Sequence, residues 1–191
     1  MWWVLKGFSV RSFYRCLVGE VGGVFPWRSI WLSRIPSKVA FFLWTAALGR
    51  NLTIDNLVRR GHVLVNQCCM CYVDAETVDH LFLHCSLASR LWGSVCSLFG
   101  IPWVQPKGVV DMLWSWRGAR VGRSRRRVWL LVPSCLLWLV WLERNRRIFQ
   151  GLQRSVLWLE DRFLVTLYSW LQCKVDPDIF SFLDFLDDVL G

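Results

Sequence analysis

Residues 68–85 read CCMCYVDAETVDHLFLHC and hold four of the eight cysteines and two of the three histidines of the chain. The spacing C-x2-C-x8-H-x4-C runs through Cys68, Cys71, His80 and Cys85. Two cysteines separated by two residues can reach one ion from a tight turn, and three thiolates with one imidazole form a closed set of the structural zinc type. Soft sulfur ligands favour zinc over magnesium or calcium. The stretch therefore predicts a zinc site, and the open alternative is a group of buried thiols that share this spacing by chance.

Two further residues of this stretch, Cys69 and His84, are left out of the predicted ligand set. We interpret Cys69 as a small apolar residue and His84 as a surface or partly buried histidine. His80 and His84 are four residues apart, the spacing of a metalloprotease helix, but position 81 is Leu rather than the Glu that such a helix needs as general base. The protease interpretation therefore fails.

The 191 residues are 54% hydrophobic and 19% charged, with a formal net charge of +9. This length allows one domain, or one domain plus a small module, and the apolar content excludes disorder of the whole chain. The positive charge favours phosphate backbones or anionic lipid as partners. We predict phosphate contacts by an arginine block, with a solvated linker face as the alternative. The block comprises Arg117, Arg120, Arg123, Arg125, Arg126 and Arg127, and Arg144, Arg146 and Arg147 follow it in the sequence.

Apolar residues recur mostly at spacings of three and four, which predicts a mainly α fold. We expect a small helical domain with a zinc-knuckle-like module, followed by a helical C-terminal tail. We divide the chain into a domain at 1–100 with its zinc module at about 62–92, a connector at 101–122 and a helical C-terminal region at 123–191. Helices are predicted at 9–17, from Pro36 to Gly49, and at 53–61, 86–99, about 109–116, about 125–149, 155–173 and 178–190.

The run VWLLVPSCLLWLVWL (128–142) is the most apolar part of the chain. A membrane span needs about 20 apolar residues, so we predict a buried core helix with the arginines at both ends in water and keep a span as the alternative. Lys6 interrupts the first apolar run, which does not fit a secretory signal. We therefore expect an intracellular protein, cytoplasmic or nuclear and not secreted, whose cysteines are thiols and metal ligands.

Four stretches resemble the plant reverse-transcriptase zinc-binding domain of LINE-type (non-LTR) retrotransposon proteins. They are GFSVRSFYRCL (7–17), FPWRSIWLSRIPSKVAFFLWTAALGRNLTIDNLVRRG (25–61), CCMC (68–71) and ETVDHLFLHC (76–85). WLERNRRIFQG (141–151) also resembles the segment that follows this domain. The resemblance implies zinc as cofactor, held by Cys68, Cys71, His80 and Cys85. It further implies a module that helps a retroelement protein hold nucleic acid, with the polymerase portion of that protein as a second partner. The net charge of +9 predicts that binding to RNA or DNA is weak and non-specific.

Catalysis is not expected from this chain. Phe185-Leu186-Asp187-Asp188 has the aromatic-x-Asp-Asp form of a polymerase metal turn, but it follows the zinc module and has no predicted flanking strands. An endonuclease and a polymerase precede the domain in full-length elements, and the residues before Gly7 hold neither, so we expect a detached remnant. The predicted function is a zinc-binding, nucleic-acid-binding module that is not an enzyme. The alternative is a helical membrane-associated or protein-interaction fragment with a degenerate metal motif.

Overall fold

The computed structural model describes residues 25–123 and 125–172, and these residues form helices and no strand. The mainly α prediction is confirmed. The helices are α1 (Trp27–Ile30), α2 (Ser37–Ala47), α3 (Ile54–Arg59), α4 (Ser86–Leu98), α5 (Val109–Ser115), α6 (Arg126–Trp129), α7 (Val132–Gln150) and α8 (Val156–Gln172). A π-helical turn, His80–His84, precedes α4, and a 3₁₀ turn, Trp116–Gly118, follows α5. The helices predicted at 9–17 and 178–190, and the Asp187-Asp188 pair, lie outside the described residues.

Proline and glycine set several helix boundaries as the sequence predicts. Pro36 immediately precedes α2, where its missing N–H has no intrahelical partner to lose. Gly49 follows that helix with φ of 63°, and Gly151 ends α7 with φ of 64°. Glycine adopts this left-handed conformation without the steric penalty of a Cβ atom, so the chain can leave the helix there.

The helix predicted at about 125–149 is wrong in one respect, because it is divided into α6 and α7. Pro133 lies at the start of α7 and has no N–H to donate to the carbonyl of Trp129, four residues earlier. That carbonyl instead accepts a hydrogen bond of 2.8 Å from the indole Nε1 of Trp116. The helical hydrogen-bond ladder therefore stops at the proline, and a side chain from the connector satisfies the freed acceptor.

Helix α7 lies in the middle of the described fold, where it packs against α2, the π-helical turn, α4 and α8. Its first half is buried, from Val132 to Val140 with Trp138 half-buried, so the prediction of a core helix is confirmed. None of the helices in the described part of the chain is long and apolar enough to cross a membrane. The core draws side chains from both sides of residues 101–122, and the division into domains stays a prediction.

The prediction that the arginines after this run lie in water is wrong for two of them. Arg144 is 3% exposed and Arg147 is 8% exposed. Their partners are the buried carboxylates of Glu76 and Glu143. A guanidinium group can remain buried when carboxylates and other hydrogen-bond acceptors replace its hydration. The apolar run and its flanking arginines do not reveal these partners.

Candidate metal centre

The four side chains of the predicted zinc pattern converge in space. Their ligand atoms, on Cys68, Cys71, His80 and Cys85, all lie within 4.8 Å of one another. The sulfurs of Cys68 and Cys85 are 4.0 Å apart, and the Cys71 sulfur is 3.3 Å from Nε2 of His80. Zn–S bonds of about 2.3 Å and Zn–N bonds of about 2.0 Å in a tetrahedron would separate two sulfurs by about 3.8 Å and a sulfur from a nitrogen by about 3.5 Å. Both separations are close to these values, so the donor set fits tetrahedral zinc.

A closed turn presents the first two cysteines. The N–H of Met70 donates to the Cys68 sulfur at 3.4 Å, and the N–H of Tyr72 donates to the Cys68 carbonyl at 2.8 Å. The Cys68 N–H donates to the Asp74 carbonyl at 2.8 Å. Tyr72 has φ of 59°, a left-handed conformation that is uncommon outside glycine. These hydrogen bonds bend the backbone so that Cys68 and Cys71 reach the same point.

The π-helical turn presents the other two ligands. The N–H of Cys85 donates to the carbonyl of His80, five residues earlier, at 2.7 Å. Thr77 accepts the N–H of His80 on its hydroxyl at 3.1 Å and so supports the start of the turn. A π turn holds one residue more than an α turn, and it places the two ends of H-x4-C on the same side. The helices predicted from the sequence begin again only at Ser86, so this turn at HLFLH was not predicted.

The environment of the cluster shifts the pKa values of three candidate ligands in different directions. The hydrogen bond from the Cys68 thiol lowers the pKa of Cys85, and the N–H groups of Leu87 and Ala88 at the start of α4 lower it further. The same sulfur–sulfur hydrogen bond, together with burial, raises the pKa of Cys68. Burial also lowers the pKa of His80, so its imidazole is neutral at neutral pH. Metal ions bind neutral imidazole and thiolate, so the lowered pKa values of His80 and Cys85 favour metal binding and the raised pKa of Cys68 opposes it.

His80 also has a carboxylate beside its second ring nitrogen. Its Nδ1 lies 3.8 Å from Oδ2 of Asp74, whose side chain is 67% exposed. Metal-binding histidines commonly direct the nitrogen that does not bind the metal towards a carboxylate, which fixes the ring orientation. Asp74 therefore favours the orientation in which Nε2 faces the cysteines.

Residues 8–92 match the family described as zinc-binding in reverse transcriptase. The match contains all four residues of the cluster and ends within α4. The curated proteins contain no match to the chain, and the solved structures contain none either. The reverse-transcriptase zinc-binding match therefore covers the metal cluster and α1 to α3, and helices α5 to α8 lie beyond it.

Cys69 and His84, which the ligand pattern leaves out, both lie outside the four-residue cluster. The Cys69 sulfur is 3.9 Å from Oε2 of Glu76 and from the carbonyl of Arg144, and burial raises the pKa of Cys69 to about 11. The exposed His84 has Nε2 3.1 Å from the Lys107 carbonyl. His84 is a surface histidine, as its sequence context predicts.

Two buried ion pairs near the candidate metal cluster were not predicted from the sequence. Glu76 is fully buried, and its Oε1 is 2.7 Å from Nη2 of Arg144. Within α7, Nε of Arg147 donates to Oε1 of Glu143 at 2.9 Å. Glu143 and Arg147 have the i, i+4 spacing that allows a helical ion pair, which is a usable sequence signal. Glu76 and Arg144 are 68 residues apart, and no local pattern connects them.

The six arginines predicted to contact phosphates divide into two groups. Arg117 donates to the carbonyl of Arg28 at 2.9 Å, Arg125 to that of Leu98 at 2.7 Å, and Arg126 to that of Arg117 at 3.0 Å. These three half-buried side chains stabilise the connector and its neighbours. The remaining members of the block are exposed, namely Arg120, Arg123 and Arg127.

Proposed function

We propose that the chain binds one zinc ion through Cys68, Cys71, His80 and Cys85, as a structural module of the reverse-transcriptase type. The observation that carries this proposal is the pair of donor separations, 4.0 Å and 3.3 Å, which lie close to the edges of a zinc tetrahedron. Three thiolates and one imidazole fill all four positions and leave none for a substrate water. Zinc therefore joins the C-x2-C turn to the π-helical turn and performs no chemistry.

Two nearby cysteines, Cys69 and Cys71, provide a matched test of zinc binding. We expect about one zinc per chain in elemental analysis of protein purified under reducing conditions without chelator. Cys71→Ser removes a ligand and should lose the metal, whereas Cys69→Ser alters a neighbouring thiol outside the cluster and should retain it. Wild-type protein without zinc, or equal loss in both variants, would contradict the proposal.

We also propose that the module binds RNA or DNA without sequence preference. The support is electrostatic, because the chain has a net charge of +9 and the connector carries the exposed Arg120, Arg123 and Arg127. Phosphate contacts release counterions, so such binding weakens as salt rises. A zinc-binding segment of the reverse-transcriptase type is consistent with a nucleic-acid partner. A plant LINE-type origin and an association with the polymerase portion of a retroelement protein belong to the same proposal.

Filter binding of RNA and single-stranded DNA at several salt concentrations tests the electrostatic account. Arg123→Ala and Arg127→Ala should each reduce the slope of log affinity against log salt by about one. Arg50→Ala, at an exposed arginine after α2, is the matched control and should leave the slope unchanged. Binding that does not respond to salt would exclude this mechanism.

The proposal includes no catalytic activity. A primer-extension assay on the full chain should give no template-dependent product, with or without added Mg²⁺. Extension that disappears in Asp187→Ala would instead assign catalysis to the C-terminal aspartate pair.

A further inference from the structure

Helix α7 places two buried arginines beside the candidate zinc site. Arg144 and Arg147 are three residues apart, a spacing that puts both side chains on one face of the helix. They are 3% and 8% exposed. Burying a guanidinium group is costly unless its donors have partners. The acceptors that these two arginines contact therefore show which segments they hold against α7.

Arg147 binds the turn that carries the first two ligands. Its Nη1 donates to the carbonyls of Cys69 at 3.3 Å and Met70 at 3.1 Å. These two residues are the ones between the cysteine ligands of C-x2-C. Glu143 orients the guanidinium group, because its Oε1 accepts Nε of Arg147 at 2.9 Å and also the N–H of Arg154 at 2.9 Å. The turn is thus attached to α7 through its own backbone.

Arg144 binds the segment that leads into the other two ligands. Its Nη2 and Nε donate to Oε1 of Glu76 at 2.7 Å and 3.2 Å. Glu76 lies four residues before His80, is fully buried, and also accepts the N–H of Ile54 at 3.0 Å. The segment before the π-helical turn is therefore attached to the same face of α7.

We propose that Arg144 and Arg147 are positioning residues of the zinc site, each of which fixes one half of the ligand set to α7. Because both halves are attached to one rigid helix, the cysteine turn and the π-helical turn keep a fixed separation. Separation of these halves would open the ligand set, so the two arginines slow metal release. The inference rests on the proposed zinc binding. It extends the site to residues beyond 92, where the family match ends.

Zinc transfer from the loaded full-length protein to an excess of a colour-forming chelator measures this effect. The deciding variants are Arg144→Lys and Arg147→Lys, which keep the positive charge but lose the planar fork of donors. We expect each to release zinc about 10 times faster than wild type, at the lower end of the 10- to 100-fold loss of metal affinity that follows removal of an outer-shell partner. Cobalt substitution gives a second readout, because a distorted ligand set changes the visible absorption bands of bound Co²⁺.

Arg146→Ala is the matched control on the same helix. Its guanidinium group lies 5.2 Å from the ring centroid of Trp158 in α8, so its loss disturbs helix packing without a contact to the cysteine turn. This variant should release zinc at the wild-type rate, with the melting temperature of each metal-free variant as a separate measure of general stability. Lysine variants that hold zinc as wild type does, or an Arg146→Ala variant that releases it equally fast, would overturn the inference. Wild-type protein that holds no zinc would overturn the proposed function and this inference together.

Discussion

Trp116 and Trp129 form a stacked pair in which each indole N–H donates to the backbone carbonyl of the other residue. Their ring centroids are 4.0 Å apart with an interplanar angle of 10°. The two hydrogen bonds measure 2.8 Å from Trp116 and 3.1 Å from Trp129. The pair joins the 3₁₀ turn after α5 to the end of α6. It also satisfies the Trp129 carbonyl, to which Pro133 has no N–H to donate.

Removing one donor from this pair should destabilise the fold. Trp129→Phe retains an aromatic ring but leaves the carbonyl of Trp116 with only the longer hydrogen bond of 3.4 Å from the N–H of Ala119. We therefore expect the lost hydrogen bond to lower the free energy of unfolding by about 0.5 to 1.5 kcal/mol. Trp114→Phe is the control, because Trp114 is 43% exposed, and it should change stability by less than about 0.5 kcal/mol. Urea unfolding followed by circular dichroism compares the two, and equal losses would contradict the role of the paired hydrogen bonds.

Two glycine-to-alanine substitutions should change stability in opposite directions. Gly151 has φ of 64° after α7, and alanine in that conformation costs about 1 to 2 kcal/mol. Gly93 lies inside α4 with open space where a Cβ would stand, so Gly93→Ala should stabilise the protein by about 0.5 to 1 kcal/mol. Thermal melts of the two variants should shift to opposite sides of wild type, and a shift of the same sign would contradict this account.

The buried ion pair between Glu76 and Arg144 should be costly to break from one side. Arg144→Met leaves a buried carboxylate without its charge partner, and we expect a loss of about 3 to 5 kcal/mol in unfolding free energy. The double variant Glu76→Leu/Arg144→Met removes both charges and should recover most of that loss. Arg59→Met, which breaks the ion pair of the 66% exposed Arg59 with Asp55, should cost less than about 1 kcal/mol. A double variant no more stable than Arg144→Met would show that the unpaired charge is not the cause.

Zinc affinity should rise with pH across the neutral range. The hydrogen bond from the Cys68 thiol to the Cys85 sulfur, together with burial, raises the pKa of Cys68. That thiol is therefore protonated in the metal-free protein and must lose its proton to bind zinc. Protons compete more strongly as pH falls, so the apparent affinity should decrease from about pH 8 to about pH 5. Isothermal titration in two buffers of different ionisation enthalpy should reveal proton release, and equal heats in both buffers would contradict this prediction.

The local features of the fold were predictable because they depend on neighbouring residues. Pro36 and Gly49 set the limits of α2, and the spacing from Cys68 to Cys85 defines the cluster that the structure brings together. The break before α7 was missed, although Pro133 is visible in the sequence, because the strong apolar run around it favours one continuous helix.

The long-range features were not predictable from one sequence. Arg144 and Arg147 lie in a charged run that is typical of a solvated helix end, and only tertiary packing brings Glu76 and the carbonyls of the cysteine turn to them. The partners of Arg117 and Arg126 were not predictable either, because they are backbone carbonyls, which every residue type carries. Pattern alone thus predicts which four side chains converge, but it does not identify the groups that hold them in place.

The attachment of both ligand pairs to α7 affects the order of events during synthesis on the ribosome. The chain emerges from its N-terminus, and the residue that pairs with Met70 follows 77 positions later. At about 5 to 20 residues per second, Arg147 is added roughly 4 to 15 s after Met70. Once Cys85 has been added, 15 residues after Met70, the growing chain contains all four candidate ligands while Glu76 still lacks its charge partner. An early zinc ion would therefore enter a loose and exchangeable site, which becomes closed only when the later helix has been made.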